Sequence, residues 1–151
     1  MRLAFFEELI TVLTNQADFD ALVAGGLYHG EVEREDQESE PVSFPYAYYE
    51  TDDCIEEESE TSGSVVRRQG IVFHFISVSS AATPGDQQGM AFSNWIQKII
   101  TSFQVNRSGV LILSSAVVAD QMKPEDKRSD AGSIVWHTIV GFEFLVDYAP
   151  V

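Results

Sequence analysis

Hydrophobic residues in the middle of the chain follow the pattern of a strand and then the pattern of a helix. Residues 70–79 form a run of β-branched and aromatic residues, which favours a β-strand. After a polar break that contains Pro84, apolar residues recur at the three- and four-residue spacing of one helix face, from Phe92 to Phe103. We therefore predict a strand over 70–79 that leads into a buried helix over 84–104.

The pattern elsewhere predicts further helices and strands around this pair. Residues 3–14 show helical spacing, a short second helix stops at Gly25-Gly26, and residues 27–29 form a short extended piece. Three more strands are predicted, over 42–49, 110–119 and 133–148, the last with apolar residues at alternate positions. The fold class that follows is α+β, with an antiparallel sheet of about four strands and helices packed on one face.

Acidic residues are concentrated in one part of the chain. The formal net charge is -15, and residues 31–60 hold thirteen acidic residues against one basic residue, Arg34. Runs of like charge repel one another and stay solvated, so we expect loops on both sides of the strand over 42–49. We interpret the chain as a single domain, 1–151, with an acidic loop–strand–loop insertion at about 31–63.

The predicted strands carry more apolar surface than the predicted helices can cover. The strands over 70–79 and 110–119 are apolar on both faces, so helices on one face would leave the other exposed. We therefore predict self-association, although the N-terminal helix or the hairpin loops are an alternative cover. The candidate subunit-interface residues are Ile71, Phe73, Phe75, Val110, Ile112 and Val118.

Few residues suggest catalytic chemistry. His29, His74 and His137 fall in separate elements, and only the last two, both in strands, are possible neighbours. Cys54 lies in an acidic run, which disfavours a reactive thiolate. The sequence has no nucleophile elbow, phosphate-binding glycine loop, HExxH motif or paired CxxC motif, and its acidic run lacks the spacing of a calcium loop. We therefore expect no enzyme activity, no cofactor and no metal site.

The sequence also bears on the compartment in which the protein is used. A single cysteine excludes an internal disulfide, which fits a reducing compartment. Glu7 and Glu8 interrupt the N-terminal apolar stretch, which argues against a signal peptide, and no apolar run reaches the roughly 20 residues of a membrane span. We expect no membrane contact and assembly in a cytoplasm.

The acidity of the chain limits the ways in which it can interact with DNA. With so few basic residues to offset its acidic ones, the protein repels the phosphates of nucleic acid, so ordinary DNA binding is not expected. Acidic loops can instead line a passage through which DNA slides without sticking, or an acidic surface can imitate the phosphate array, or the charge can serve solubility alone. The candidate DNA-path or partner-facing residues are Asp52, Asp53, Glu56, Glu57, Glu58 and Glu60.

The layout of the chain resembles the tail-terminator (tail-completion) proteins of long-tailed bacteriophages and of phage-derived gene-transfer particles. The matching features are the N-terminal helix, Leu27-Tyr28 after Gly25-Gly26, Pro45-Tyr46, Trp95-Ile96 in the helix, and Trp136-His137-Thr138 with Phe142-Glu143-Phe144 in the last strand. The resemblance covers nearly the whole chain, and the acidic stretch over 31–60 is longer than the link that it leads one to expect.

The resemblance implies a structural virion protein that works as a ring, typically of six subunits. Such a ring caps the tail tube, stops its polymerisation and joins it to the head connector or neck protein, while DNA passes through without specific binding. It implies a place in the tail or neck of the virion and no catalysis. In such a ring, we expect loops around 50–62 and 121–133 to reach the tube or the connector.

Three other functions stay open at this point. The protein can be a different neck or minor tail protein that also assembles as a ring. It can be an acidic DNA-mimic inhibitor, which needs carboxylates over a rigid outer face. An enzyme would require His74 and His137 to converge on an acidic partner in a pocket.

Overall fold

The described part of the chain folds into a five-stranded sheet with helices against one face. The computed structural model describes residues 2–30, 43–58, 63–79, 84–105, 109–128 and 134–149. The elements are α1 Arg2–Thr14, α2 Phe19–Leu22, β1 Leu27–His29, β2 Tyr46–Glu58, β3 Val65–Val78, α3 Gly85–Thr101, β4 Val110–Arg128 and β5 Ile134–Tyr148. The α+β class is as predicted.

The strand count and direction differ from the prediction. The strand order is β1-β2-β3-β5-β4, and β1 pairs in parallel with β2 whereas all other pairs are antiparallel. Over the described residues the sheet is therefore mixed and has five strands, not about four antiparallel ones. Three residues are too few to show an alternating pattern, which is why the extended piece over 27–29 could not be assigned to the sheet from its sequence.

The main core lies between the sheet and two helices. Phe92, Ile96 and Ile100 of α3 are each 1% exposed, so the apolar helix face predicted from its spacing is confirmed. From α1, Phe5 packs edge-on against the rings of Phe103 and Phe144. Aromatic contacts of this geometry add to the burial of apolar area and fix how α1 sits on the sheet.

Strands β2 and β4 are longer than the sequence predicted. Residues 50–58 continue β2, and residues 120–128 continue β4, although both stretches are polar and were expected to form loops. Each is paired with a neighbour: β2 with β3 up to Glu58, and β4 with β5 up to Pro124 and again at Arg128. Ladder hydrogen bonds from the partner strand therefore hold these stretches extended without an apolar pattern of their own.

Helix α3 approaches the sheet closely because it carries glycine at two facing positions. A Cβ on Gly85 would lie 2.6 Å from Trp136 Cδ1, and a Cβ on Gly89 would overlap Thr138 Oγ1 and lie 2.9 Å from Met122 Sδ. Thr138 is 2% exposed, and its hydroxyl has no hydrogen-bond partner among the described residues. The glycines therefore set the distance between α3 and β5.

Replacement of Gly89 by alanine tests this packing. Alanine is the better helix former by about 1 kcal/mol, but overpacking a tight contact costs about 1–3 kcal/mol, so we expect Gly89→Ala to lower the free energy of unfolding. Chemical denaturation measures the change. Thr138→Ala removes the overlapping hydroxyl, so the double variant Gly89→Ala/Thr138→Ala should recover part of the loss. A Gly89→Ala protein more stable than the wild type would contradict the close approach.

Candidate assembly surface

The predicted interface residues on β3 face the wrong side of the sheet for that role. Ile71, Phe73 and Phe75 are each 0% exposed and belong to the main core beneath the helices. Val110 and Ile112 of β4 are half-buried and pack against the same core. Of the six predicted residues, only Val118 is exposed, at 56%. The prediction that β3 forms a subunit interface is therefore corrected: its apolar face completes the core of its own chain.

The second face of the sheet is covered in part. A smaller cluster of buried side chains lies on this face, with partly buried Tyr28, Phe44 and Val78 packed against it; the buried members are Tyr46, Tyr48, Ile76 and Val135. The strand register confirms the face, because Tyr46 pairs with Ile76 whereas Ala47, which points the other way, pairs with core residue Phe75. The exposed apolar surface is consequently smaller than the sequence suggested.

Exposed apolar side chains are concentrated on β4. Four of them form what we call the β4 apolar band: Leu111 (61% exposed), Leu113 (51%), Val117 (40%) and Val118 (56%). The band has members on both faces of the strand, because Leu111 pairs with Asp147 whereas Val117 pairs with core residue Phe142. Irregularities in the pairing with β5 between Ile112 and Ser114 and between Val117 and Ala119 leave Leu113 and Val118 outside the ladder. The sequence from 110 to 119 contains no charged residue, and that run is the signal by which Leu111, Leu113 and Val117 could have been chosen.

Strand β4 is the last strand of the sheet on its side. Within the described part of the chain it pairs only with β5, so its outer backbone groups face away from the sheet. Asp120 holds it to helix α3, since Ser93 Oγ donates to Oδ1 at 2.9 Å and Gln97 Nε2 donates to Oδ2 at 2.9 Å. Residues 110–119, which carry no charge and expose apolar side chains at a sheet edge, form a surface of the kind that proteins normally cover with another chain.

Five of the six predicted acidic residues, all but Glu60, lie on strand β2 and not in a loop. Asp53 forms an ion pair with Arg67, in which Nε donates to Oδ1 at 3.0 Å and Nη2 donates to Oδ2 at 2.9 Å. This hydrogen bonding to Asp53 raises the pKa of the Arg67 guanidinium above its ordinary value. Glu56 accepts a hydrogen bond from Arg68. Asp52, Glu57 and Glu58 are exposed, and Glu60 lies outside the described residues.

The acidic stretch and the β4 apolar band lie at opposite edges of the sheet. In the order β1-β2-β3-β5-β4, the outer side of β2 is paired with β1 only over 47–49, so residues 50–58 have a ladder partner on one side alone. A chain that contacts β4 therefore lies away from these carboxylates. The acidic stretch of β2 is thus separate from the β4 apolar band, although Asp147 and Glu143 of β5 lie opposite Leu111 and Ala116 of β4.

Two of the three histidines meet, as the sequence allowed. His74 Nδ1 lies 2.8 Å from His137 Nε2, and His137 Nδ1 lies 2.6 Å from Glu125 Oε1. The His74 ring stacks on Tyr48, with centroids 4.4 Å apart. The histidines thus converge on a carboxylate, which sequence reasoning could not place because Glu125 lies in an irregular part of β4 between Pro124 and Arg128. His29 lies apart from them, stacked on Tyr49.

The described residues also bear on metal, thiol and membrane sites. No group of three or more His, Cys, Asp or Glu side chains there is arranged to hold a metal ion. Cys54 is a free, exposed thiol. None of the described helices combines the length and the apolar character that a membrane crossing requires.

The fold is similar to that of a solved virion protein. A chain from a structure described as the virion of a native gene transfer agent particle superposes with a TM-score of 0.63 and 15% sequence identity, over 92% of this chain and 91% of that chain. No protein-family model matches the sequence, and no curated protein is significantly similar to it. At this identity the similarity establishes a shared fold over nearly the full length of both chains.

Proposed function

We propose that this protein is a structural component of a tailed-phage or gene-transfer-particle virion, and specifically a tail terminator. The observation that carries the proposal is the nearly full-length likeness to a chain of a gene transfer agent virion. In this role the chain forms a ring, typically of six copies, that caps the tail tube, stops its polymerisation and joins the tail to the head connector. It acts in the tail or neck of the virion after assembly in the host cytoplasm, without catalysis or a cofactor.

The β4 apolar band supports the ring. Complete burial of a leucine or valine side chain stabilises by about 1.5–3 kcal/mol, so covering the remaining exposed parts of four such side chains provides several kcal/mol for a contact. A ring requires a heterologous contact, in which β4 of one subunit meets a different surface of the next. The placement of the acidic stretch of β2 at the opposite edge keeps the like charges of this chain away from the β4 contact.

The exposed carboxylates fit a DNA path. Asp52, Glu57 and Glu58 present exposed negative charge on one edge of the subunit, and a ring repeats that charge around its circumference. Negative charge beside a passage repels phosphates, so DNA moves through without being held. Residues 50–58 and 120–128 belong to two hairpins, and these are the elements that we assign to contacts with the tube or the connector.

Tail tubes grown with and without the protein test the assignment. Tail-tube protein from the same particle is polymerised alone and with this chain, and the products are imaged by electron microscopy. The proposal predicts tubes that stop growing and carry an annular cap at one end. Tubes that reach the same lengths with and without the protein, and carry no cap, would exclude a terminator. A ring attached elsewhere would indicate a different neck or minor tail protein.

A DNA-mimic inhibitor is a second candidate, favoured by one observation. The acidic residues lie on an extended strand, and same-face residues such as Glu50 and Asp52 are about 6.8 Å apart in regular strand geometry. Regular spacing on a fixed strand is what imitation of a phosphate array needs. Competition with DNA for a host nuclease or repressor measures this function, and a terminator has no such effect.

A further inference from the structure

Two histidine side chains meet on the second face of the sheet, where β3 and β5 run antiparallel. His74 is opposite Ile139 and His137 is opposite Ile76, so the two histidines are diagonal neighbours on one face. His74 Nδ1 lies 2.8 Å from His137 Nε2. The two residues are 63 positions apart in sequence, so no ligand-spacing motif marks the pair. The terminator role uses neither of them.

The other ring nitrogen of His137 is held by a carboxylate. Glu125 Oε1 lies 2.6 Å from His137 Nδ1, and because an ionised carboxylate can only accept, Nδ1 carries the hydrogen. His137 Nε2 therefore presents a lone pair to His74. Histidines that bind metal ions almost always donate their second N–H to such a group, which orients the ring and makes the ligating nitrogen more basic. His137 thus has the arrangement of a metal ligand, with Glu125 as its orienting partner.

His74 supplies a second nitrogen at the same place. Its ring stacks on Tyr48 with centroids 4.4 Å apart, and this contact holds the plane of the imidazole. When the hydrogen of His74 is on Nε2, the lone pair of Nδ1 points toward His137 Nε2. Two facing lone pairs need a cation between them. A hydrogen gives the present 2.8 Å contact, and a metal ion can replace it.

The distance between the two nitrogens is close to that of a metal site. Tetrahedral Zn²⁺ holds imidazole nitrogens at about 2.0–2.1 Å, which places two of them about 3.3 Å apart. The pair therefore has to open by only about half an ångström from its 2.8 Å contact. Among the described residues no third His, Cys, Asp or Glu side chain is arranged to join the pair, so water fills the other coordination positions. The His137 side chain is 13% exposed, which leaves solvent a way in.

The charge around the pair favours a cation. The net charge of -15 attracts cations to the protein, and Glu125 places a negative charge next to His137. Lys123 is opposite His137 and opposes a cation, but it is exposed, so its ammonium group can stay in water. Imidazole suits Zn²⁺, Ni²⁺ and Cu²⁺, whereas Mg²⁺ and Ca²⁺ prefer oxygen ligands. We propose that His74 and His137 bind one divalent transition-metal ion of the zinc type, with Glu125 as a positioning residue.

A bound ion links three strands. It joins β3 to β5 directly and reaches β4 through Glu125, all on the second face of the sheet. Only the folded sheet brings the two histidines together, so an ion that binds them stabilises the folded chain by mass action.

Calorimetric titration with Zn²⁺ tests the site. The parent protein carries Cys54→Ser, which removes the one thiol, and the buffer contains excess Mg²⁺, which occupies weak carboxylate sites. The parent should bind one Zn²⁺ per chain and unfold at a higher temperature with Zn²⁺ than without it. Glu125→Gln should weaken binding by about 10–100-fold, the usual loss for an orienting partner, and His74→Phe by at least as much.

A matched control and a second measurement keep the test decisive. His29→Phe should bind Zn²⁺ like the parent, because His29 also stacks on a tyrosine, Tyr49, but lies apart from the pair. Equal binding in the parent and in His74→Phe would overturn the site, as would the lack of saturable binding in the parent. Electron paramagnetic resonance of the Cu²⁺-loaded parent should show splitting from two nitrogen ligands. A spectrum without nitrogen splitting would contradict the site even if a variant fails to fold.

Discussion

The double variant Leu113→Glu/Val118→Glu should remain folded and lose self-association. Both side chains are more than half exposed, so charged groups there stay in water and cost little folding free energy. In a subunit contact, however, each carboxylate would be buried against apolar surface without a partner, which costs several kcal/mol and lowers affinity by about a thousandfold or more. Sedimentation velocity measures the association, and thermal unfolding measures the fold.

A matched variant distinguishes the effect of where the new charges are placed from the effect of adding two charges. Ile55→Glu/Met90→Glu adds the same two charges at apolar side chains of similar exposure, 51% and 49%, on β2 and α3. This control should associate like the wild type. If it dissociates as readily as the β4 variant, added negative charge alone explains the loss and the β4 apolar band is not the contact. If the β4 variant still associates normally, the band is excluded directly.

The variant Phe73→Ala should lower the free energy of unfolding by about 3–5 kcal/mol, which is the usual cost of deleting a fully buried phenylalanine ring. Phe73 is 0% exposed and packs against Phe142 and Tyr49. The measurement is urea denaturation in the Leu113→Glu/Val118→Glu background, where association does not add to the stability.

Phe73→Ala distinguishes the two roles that the sequence left possible for β3. Leu111→Ala in the same background is its control, since truncation of a side chain that is 61% exposed should change stability by less than about 1 kcal/mol. A Phe73→Ala protein with normal stability, and with weaker association in the otherwise wild-type chain, would return β3 to the subunit interface. Loss of stability alone supports its place in the core.

The sequence predicted the elements whose patterns are strong and local. The helical spacing from Phe92 to Phe103 and the alternation along β5 both reflect one buried face, and both elements are present. The sequence pattern could not predict which face of β3 is buried, because Ile71 and Val72 are similarly apolar. Only the positions of α1 and α3 decide which of the two faces the core. The predicted interface failed on β3 for this reason.

The acidic strand shows a different limit of sequence reasoning. Residues 50–58 look like a solvated loop by charge, but pairing with β3 brings Arg67 to Asp53 and Arg68 to Glu56, which offsets part of the repulsion. These partners are more than ten residues away in sequence. The contact between His74 and His137 could be predicted because both residues fall in predicted strands. The position of Glu125 could not, because it depends on an irregular strand pairing that no local pattern encodes.

The absolute mass of the purified protein in solution, measured by light scattering after size exclusion, tests most directly that the chain works as a ring subunit. We predict a species that is a whole multiple of the 16.8 kDa chain, roughly 100 kDa for six copies. A mass of one chain at every concentration, and also in the presence of tail-tube protein, would contradict the ring.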